Sequence, residues 1–160
     1  ALAAGAEEFV PATIPLGHAA GRPSIQDRIV RGSARGGTRK DPAELFFAVR
    51  HDGSLGPLVD PGRWASILEA VRIGPSASNK QPWRLILDKR SGEVLHLVMH
   101  EDERYNNLLG DVKLQELDMG IAMRHIGVAA REEGISGSWK RVDPAPIRLE
   151  IPERYIASFV

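Results

Sequence analysis

DPGRWASILEAVRIGPSASNKQPW, residues 60–83, is the stretch that decides the fold. Its first half carries an apolar stripe at the i, i+3, i+4, i+7 spacing of one helix face, formed by Trp64, Ile67, Leu68 and Val71. Asp60 as N-cap and Pro61 at the first helical position predict where this helix begins, and Gly74 with Pro75 predicts its end. The stretch therefore predicts an amphipathic helix that is followed directly by a fixed turn rich in polar side chains.

The turn GPSASNKQPW has two interpretations. In the first, its polar side chains satisfy only the turn itself: Ser76 caps it, and Asn79 and Gln81 bond to backbone groups. In the second, a planar heterocycle lies against the turn. The edge of such a ring needs fixed donors and acceptors, and its face needs small or apolar contacts such as Pro75 and Ala77. The residues of the turn leave both interpretations open.

Downstream of the turn, the hydrophobic pattern predicts a β-hairpin and a long helix. Trp83–Asp88 and Val94–Met99 are apolar runs of strand length, and Gly92 lies in the turn between them. The region 112–134 is the longest helical pattern, and its apolar residues on several faces predict a central or interface helix that is buried on several faces. The remaining predicted elements are short: a strand at 9–16, helices opening at Ser24 and Asp41, a mobile basic loop at 31–40, and strands at 147–151 and 155–160.

Composition and charge restrict the class of function. The 160 residues are 42% hydrophobic, which favours one compact globular domain. Lys plus Arg and Asp plus Glu both number 21, so no overall field favours nucleic acid or an anionic membrane. The chain has no cysteine, no long apolar window and no signal peptide, which together predict a soluble, cytoplasmic protein.

Two other kinds of site are disfavoured by spacing. The histidines are scattered without the spacing of metal ligands, so no metal site is predicted. Glu101, Asp102 and Glu103 form an acidic corner that could support paired-carboxylate hydrolysis, but a solvated turn is the favoured interpretation.

Two segments resemble one family. PSASNKQPW (75–83) resembles the Pro-Ser-x-x-Asn-x-Gln-Pro-Trp turn of the FMN-dependent nitroreductases, and LDMGIAMRHIGVAAREEGI (117–135) resembles their buried central helix. IPLGH (14–18) and the later RGGTRKDP (35–42) resemble the closing strand and basic end of a nitroreductase unit, although here they precede the turn. This order resembles the branch in which two incomplete units are fused as a pseudo-dimer. On that view, residues 1–50 complete a first unit and 51–160 form most of a second.

The resemblance implies a fold, an activity and a site. The implied fold is an α+β nitroreductase-like sandwich, in which a mixed, mainly antiparallel sheet packs with a long central helix. The implied activity is that of an FMN-dependent oxidoreductase, which uses NAD(P)H to reduce nitroaromatics, quinones or similar small acceptors. No catalytic side chain is expected, because the flavin carries the chemistry. The implied cofactor-binding residues are Pro75, Ser76, Ala77, Ser78 and Asn79 along the flavin, Gln81 holding the turn, and Arg39 and Lys40 at the FMN phosphate.

The sequence also departs from the family pattern. It lacks the Arg-x-Ser-x-Arg start that grips the flavin, and it lacks the later Gly-rich segment that faces the ring. Both are expected upstream of Ala1, so we expect the chain to be part of a longer protein or to need a homodimer partner. The alternative is a remnant that binds flavin or another partner without catalysis.

Overall fold

The structure is a computed structural model, and it describes residues 16–18, 37–90, 92–104, 113–142, 145–149 and 152–160. The helix predicted at Ser24 and nearly all of the strand predicted at 9–16 lie outside the described residues.

A mixed sheet forms the centre of the fold. Its six strands are β1 (Phe46–Val49), β2 (Leu55–Pro57), β3 (Trp83–Asp88), β4 (Val94–His100), β5 (Trp139–Lys140) and β6 (Glu153–Phe159). They lie in the order β2-β1-β3-β4-β6-β5, with β1 parallel to β3 and every other neighbouring pair antiparallel. The predicted hairpin is confirmed as β3 and β4, and the predicted α+β class with a mainly antiparallel mixed sheet is confirmed as well.

Among the described residues, three α-helices accompany the sheet: α1 (Pro42–Leu45), α2 (Ala65–Arg72) and α3 (Leu114–Glu132). The cap predicted for α1 is confirmed, because Asp41 Oδ1 accepts the Ala43 N–H at 2.9 Å and Glu44 Oε1 accepts the Asp41 N–H at 3.1 Å. The apolar residues that follow α1 form β1 and do not continue that helix. Their pairing partner, β3, lies far along the chain, so local sequence carries no signal for it.

The start predicted for α2 is wrong. Asp60 does cap the segment, since its Oδ1 accepts the Gly62 N–H at 2.9 Å, but the residues that follow form a 3-10 turn at Gly62–Trp64. Gly62 has a φ of +53°, in the left-handed region, and this conformation interrupts a right-handed helix. The helix α2 therefore begins at Ala65, although the predicted apolar stripe remains buried.

The main core lies between the helices and one face of the sheet. Side chains alternate along a strand, so Leu85 and Leu87 of β3 face the same side as Leu95 and Leu97 of β4. Trp83 joins them and is fully buried. The helices contribute the rest of this core, including Trp64, Ile67, Leu68, Val71, Met119, Ala122 and Ile126.

The long helix α3 ends as its sequence predicts but is exposed on one side. Gly134, with a φ of +69°, donates its N–H to Arg131 O, and the Ile135 N–H reaches Ala130 O at 2.8 Å, which is a Schellman motif. The exposed fractions of Leu117 and Val128 are 43% and 39%. The prediction that α3 is buried on several faces is therefore wrong for its outer face, within the part of the chain that the structure describes.

The other differences concern short strands. The strand predicted at 147–151 is not formed over residues 147–149, which are irregular; there Ile147 packs against Ile86 and Val98 on the sheet face opposite the main core. The strand predicted at 155–160 is confirmed as β6, and the two-residue β5 pairs with its end. No helix among the described residues is long and apolar enough to cross a membrane.

Candidate functional site

The turn after α2 has an unusual backbone. Ser78, Asn79 and Gln81 have φ angles of 49°, 54° and 48°, all in the left-handed region. This region costs an L-residue about 1–2 kcal/mol, so such residues persist where surrounding contacts hold them. The turn is thus held in place by its environment, and positions of this kind are concentrated at functional sites.

Contacts within the turn explain part of its polar composition. Ser76 Oγ accepts the Gln81 N–H at 2.9 Å. The Gln81 amide nitrogen donates to Asn79 O at 3.4 Å and to Asn79 Oδ1 at 3.2 Å. Gln81 is buried, with 2% of its surface exposed. These side chains therefore satisfy the turn itself, as the first interpretation of the sequence expected.

The basic pair that the resemblance singled out is bonded to this turn. The Lys40 N–H donates to Gln81 Oε1 at 2.9 Å, and Lys40 Nζ donates to Gln81 O at 3.4 Å. Arg39 Nη1 donates to Asn79 Oδ1 at 3.3 Å, and its Nη2 donates to Ile73 O at 3.1 Å. The tertiary structure thus brings together two segments about 40 residues apart in sequence. Arg39 and Lys40 of the predicted basic loop are held by these bonds.

Lys40 is surrounded by charges of both signs. Burial lowers the pKa of the Lys40 ammonium, and the charges of Arg84 and Lys80 lower it further, whereas those of Glu44 and Asp102 raise it. Burial likewise lowers the pKa of the Arg84 guanidinium. Lys80 lies nearby and forms an ion pair with Asp102 at 2.9 Å. An anion at Lys40 would therefore reduce an existing repulsion between positive charges.

A cavity of about 620 Å³ lies beside the turn, and its lining includes Lys40, Asn79, Lys80, Pro82, His100 and Gln115. This volume is in the range typical of small-molecule sites. On the turn itself, Pro75 and Ser78 are exposed, and Ser76, Ala77 and Asn79 are half-buried. A ligand could therefore contact Pro75, Ala77 and Ser78 directly, whereas the buried Gln81 acts through the groups that it holds.

Sequence reasoning missed one residue of this site. Asp118 of α3 is 2% exposed, and its Oδ1 accepts the Ala77 N–H at 2.9 Å. Its Oδ2 is buried and has no hydrogen-bond partner among the described residues. Burial raises the pKa of this carboxyl to about 6. The available signal was a single acid inside the most apolar part of a helical pattern.

The acidic corner is occupied by ion pairs. Asp102 is paired with Lys80, and Glu101 with Arg154. This arrangement fits the favoured interpretation of a solvated turn. Among the described residues, no group of three His, Asp or Glu side chains could hold a metal ion.

The fold is a mixed α+β domain, and part of it matches a known family model. Residues 57–130 match the family model described as "Putative TM nitroreductase", and this match covers less than half of the 160-residue chain. It includes α2, the turn, the hairpin and most of α3. The predicted resemblance is thereby confirmed within residues 57–130, and it points to a family of oxidoreductases. No curated protein and no solved structure matches the chain.

Proposed function

We propose that this protein is an FMN-dependent oxidoreductase that uses NAD(P)H to reduce nitroaromatic, quinone or similar small acceptors. The observation that carries the proposal is the docking of Arg39 and Lys40 onto Asn79 and Gln81. It supplies positive charge beside a rigid polar turn, and FMN combines a phosphate with a planar ring. When bound, FMN would supply the redox chemistry, which moves two electrons from NAD(P)H to the acceptor.

The residues present fit the two ends of FMN. Lys40 would hold the phosphate, because a dianion would form a charge-assisted hydrogen bond with its ammonium and offset the repulsion from Arg84 and Lys80. Arg39 already donates to three acceptors, so it would orient the segment and add positive charge.

The turn would supply the surface for the ring. Pro75 and Ala77 offer small apolar contacts, and Ser78 offers a polar contact. Asn79 and Gln81 would hold these groups in place, since their side chains bond within the turn and to residues 38–40. The same proposal includes a second unit or a second chain that completes the site. It also includes a cytoplasmic location, where NAD(P)H is supplied.

Flavin titration tests the binding part of this proposal. We expect the purified protein to quench FMN fluorescence and to bind riboflavin, which lacks the phosphate, more weakly. Lys40→Ala should raise the Kd for FMN about 10–100-fold, the value of one charge-assisted hydrogen bond of about 1.5–3 kcal/mol, and leave the Kd for riboflavin unchanged. Lys140→Ala is the matched control, because it removes the same charge from an exposed position on β5.

Absence of quenching by both flavins, in the chain and in the protein encoded in full by its gene, would refute the proposal. NAD(P)H oxidation that depends on a quinone or nitroaromatic acceptor would support catalysis. Flavin binding without such turnover would instead favour the alternative, a non-catalytic flavin-binding or interaction module. The exposed apolar side chains on the outer face of α3, Leu117 and Val128, are the observation that favours this alternative.

A further inference from the structure

Asp118 joins the long helix to the start of the turn. Its Oδ1 accepts the N–H of Ala77, the residue directly before the left-handed Ser78 and Asn79. Ala77 itself is half-buried, and with Pro75 it forms the apolar edge of the turn. A hydrogen bond from the long helix therefore fixes the position of the Ala77 peptide group, after which the left-handed residues of the turn begin.

The surroundings of Asp118 do little else to stabilise its charge. The pKa of its carboxyl is raised by burial and lowered by the Ala77 N–H, and no other charged group contributes to the shift. The neighbouring polar groups of α3 have other partners, since Gln115 accepts the Asp102 N–H and His125 bonds to Ala70 O. No cation forms an ion pair with Asp118 among the described residues.

A half-satisfied buried carboxylate disfavours folding, so packing alone does not explain Asp118. A leucine or asparagine would fill a similar volume without burying a charge. What the carboxylate adds is a charge-assisted hydrogen bond to Ala77, which is stronger than the bond that a neutral acceptor would make. The buried charge lowers the folding stability, and the stronger hydrogen bond fixes the geometry of the turn.

We propose that Asp118 is a positioning residue for the cofactor turn: it holds the Ala77 peptide and so orients the edge of the turn on which the flavin ring would lie. This inference rests on the proposed function. Asp118 acts through Ala77 and does not contact the ligand, because its side chain is almost fully buried.

The bond should respond to pH in a defined direction. With the carboxyl pKa at about 6, the Ala77 N–H has a charged acceptor at pH 7.5 and a neutral one at pH 5. We therefore expect FMN affinity to fall as the pH falls through about 6. The contribution of Asp118 to folding stability has the opposite sign, because its folded pKa is raised: it is complete below the unfolded pKa of 3.8 and is lost as the pH rises through about 6.

The test compares FMN affinity, stability and the Ala77 amide in wild type and Asp118→Asn. In wild type, we expect the Kd for FMN to rise about tenfold between pH 7.5 and pH 5, as a loss of about 1.4 kcal/mol would produce. In Asp118→Asn, the Kd at pH 7.5 should already be raised about tenfold, and its remaining pH dependence should be that of the FMN phosphate, whose second pKa is about 6. The variant should unfold at the same or a higher temperature at pH 7.5, whereas a merely structural role would lower affinity and stability together.

Ile126→Ala is the control, because Ile126 is fully buried on α3 in the main core and is not part of the lining of the cavity beside the turn. It should lose stability and keep the wild-type pH dependence of FMN binding. An Asp118→Asn variant with wild-type affinity and wild-type pH dependence would overturn the inference.

NMR of the flavin-free protein separates this inference from the proposed function. The Ala77 amide resonance should titrate with a midpoint near pH 6 in wild type and should not titrate in Asp118→Asn. If that titration is seen while wild type binds no FMN, the proposed function fails and the positioning of the turn by Asp118 is supported. If the amide does not titrate, the positioning role is refuted whatever the flavin result.

Discussion

Replacement of Gln81 by alanine should weaken the attachment of Arg39 and Lys40 to the turn. The Gln81 side chain accepts the Lys40 N–H and donates to Asn79 Oδ1, and it is 2% exposed. A buried polar group that loses its partner costs about 1–3 kcal/mol, and the two partners here are half-buried, so values in the lower half of that range apply. The expected loss is about 2–4 kcal/mol in the free energy of unfolding, measured by urea denaturation.

A second readout reports on the segment itself. Without its acceptor on Gln81, the backbone at Lys40 should open more often, and trypsin should cleave after Arg39 or Lys40 faster than in wild type. FMN affinity should fall in parallel, because the cations would no longer be held beside the turn.

The matched control for stability and cleavage is Gln115→Ala, since Gln115 is equally buried and its side chain accepts one backbone N–H, that of Asp102. It should cost about 1–2 kcal/mol and leave trypsin cleavage after Arg39 and Lys40 unchanged under native conditions. Equal cleavage rates at these sites in wild type and Gln81→Ala would refute the reasoning that Gln81 joins the two segments.

Two further predictions concern α3 and the buried histidine. Gly134→Ala should lower the free energy of unfolding by about 1 kcal/mol, because Gly134 has a positive φ. Gly120→Ala should raise it by about 0.5–1 kcal/mol, because Gly120 is helical and a Cβ there would touch nothing within 4 Å among the described residues. Equal effects of the two variants in thermal unfolding would contradict this prediction. Burial lowers the pKa of His96, whose Nδ1 lies 2.7 Å from Ser158 Oγ and whose Nε2 lies 3.9 Å from Asp88 Oδ2. Because the folded pKa is lowered, wild-type stability falls as the pH drops below about 6.5, the pKa of an unfolded histidine. The stability of wild type relative to His96→Gln, measured by urea unfolding, should therefore decrease from pH 8 to pH 5. Parallel pH profiles of the two proteins would argue against this prediction.

The sequence by itself determined the elements whose signals are local. The hairpin of β3 and β4 follows from two apolar runs around Gly92, and the extent of α3 follows from the helical pattern at 112–134. The turn at residues 75–83 was recognisable because proline and polar residues at fixed spacing restrict the backbone over a few bonds. Of its two interpretations, the structure supports the first, since Ser76 and Gln81 bond within the turn, and the contact of Pro75 and Ser78 with a ligand stays a prediction.

The tertiary structure alone decided which distant groups meet. It pairs β1 in parallel with β3, brings the Lys40 N–H to Gln81 Oε1, and brings the Asp118 carboxylate to the Ala77 N–H. These contacts join residues about 40 positions apart in sequence, and hydrophobic periodicity carries no information at that range. The same holds for the outer face of α3, because a helix pattern shows which side chains are apolar, and whether another element covers them depends on the packing of the whole molecule.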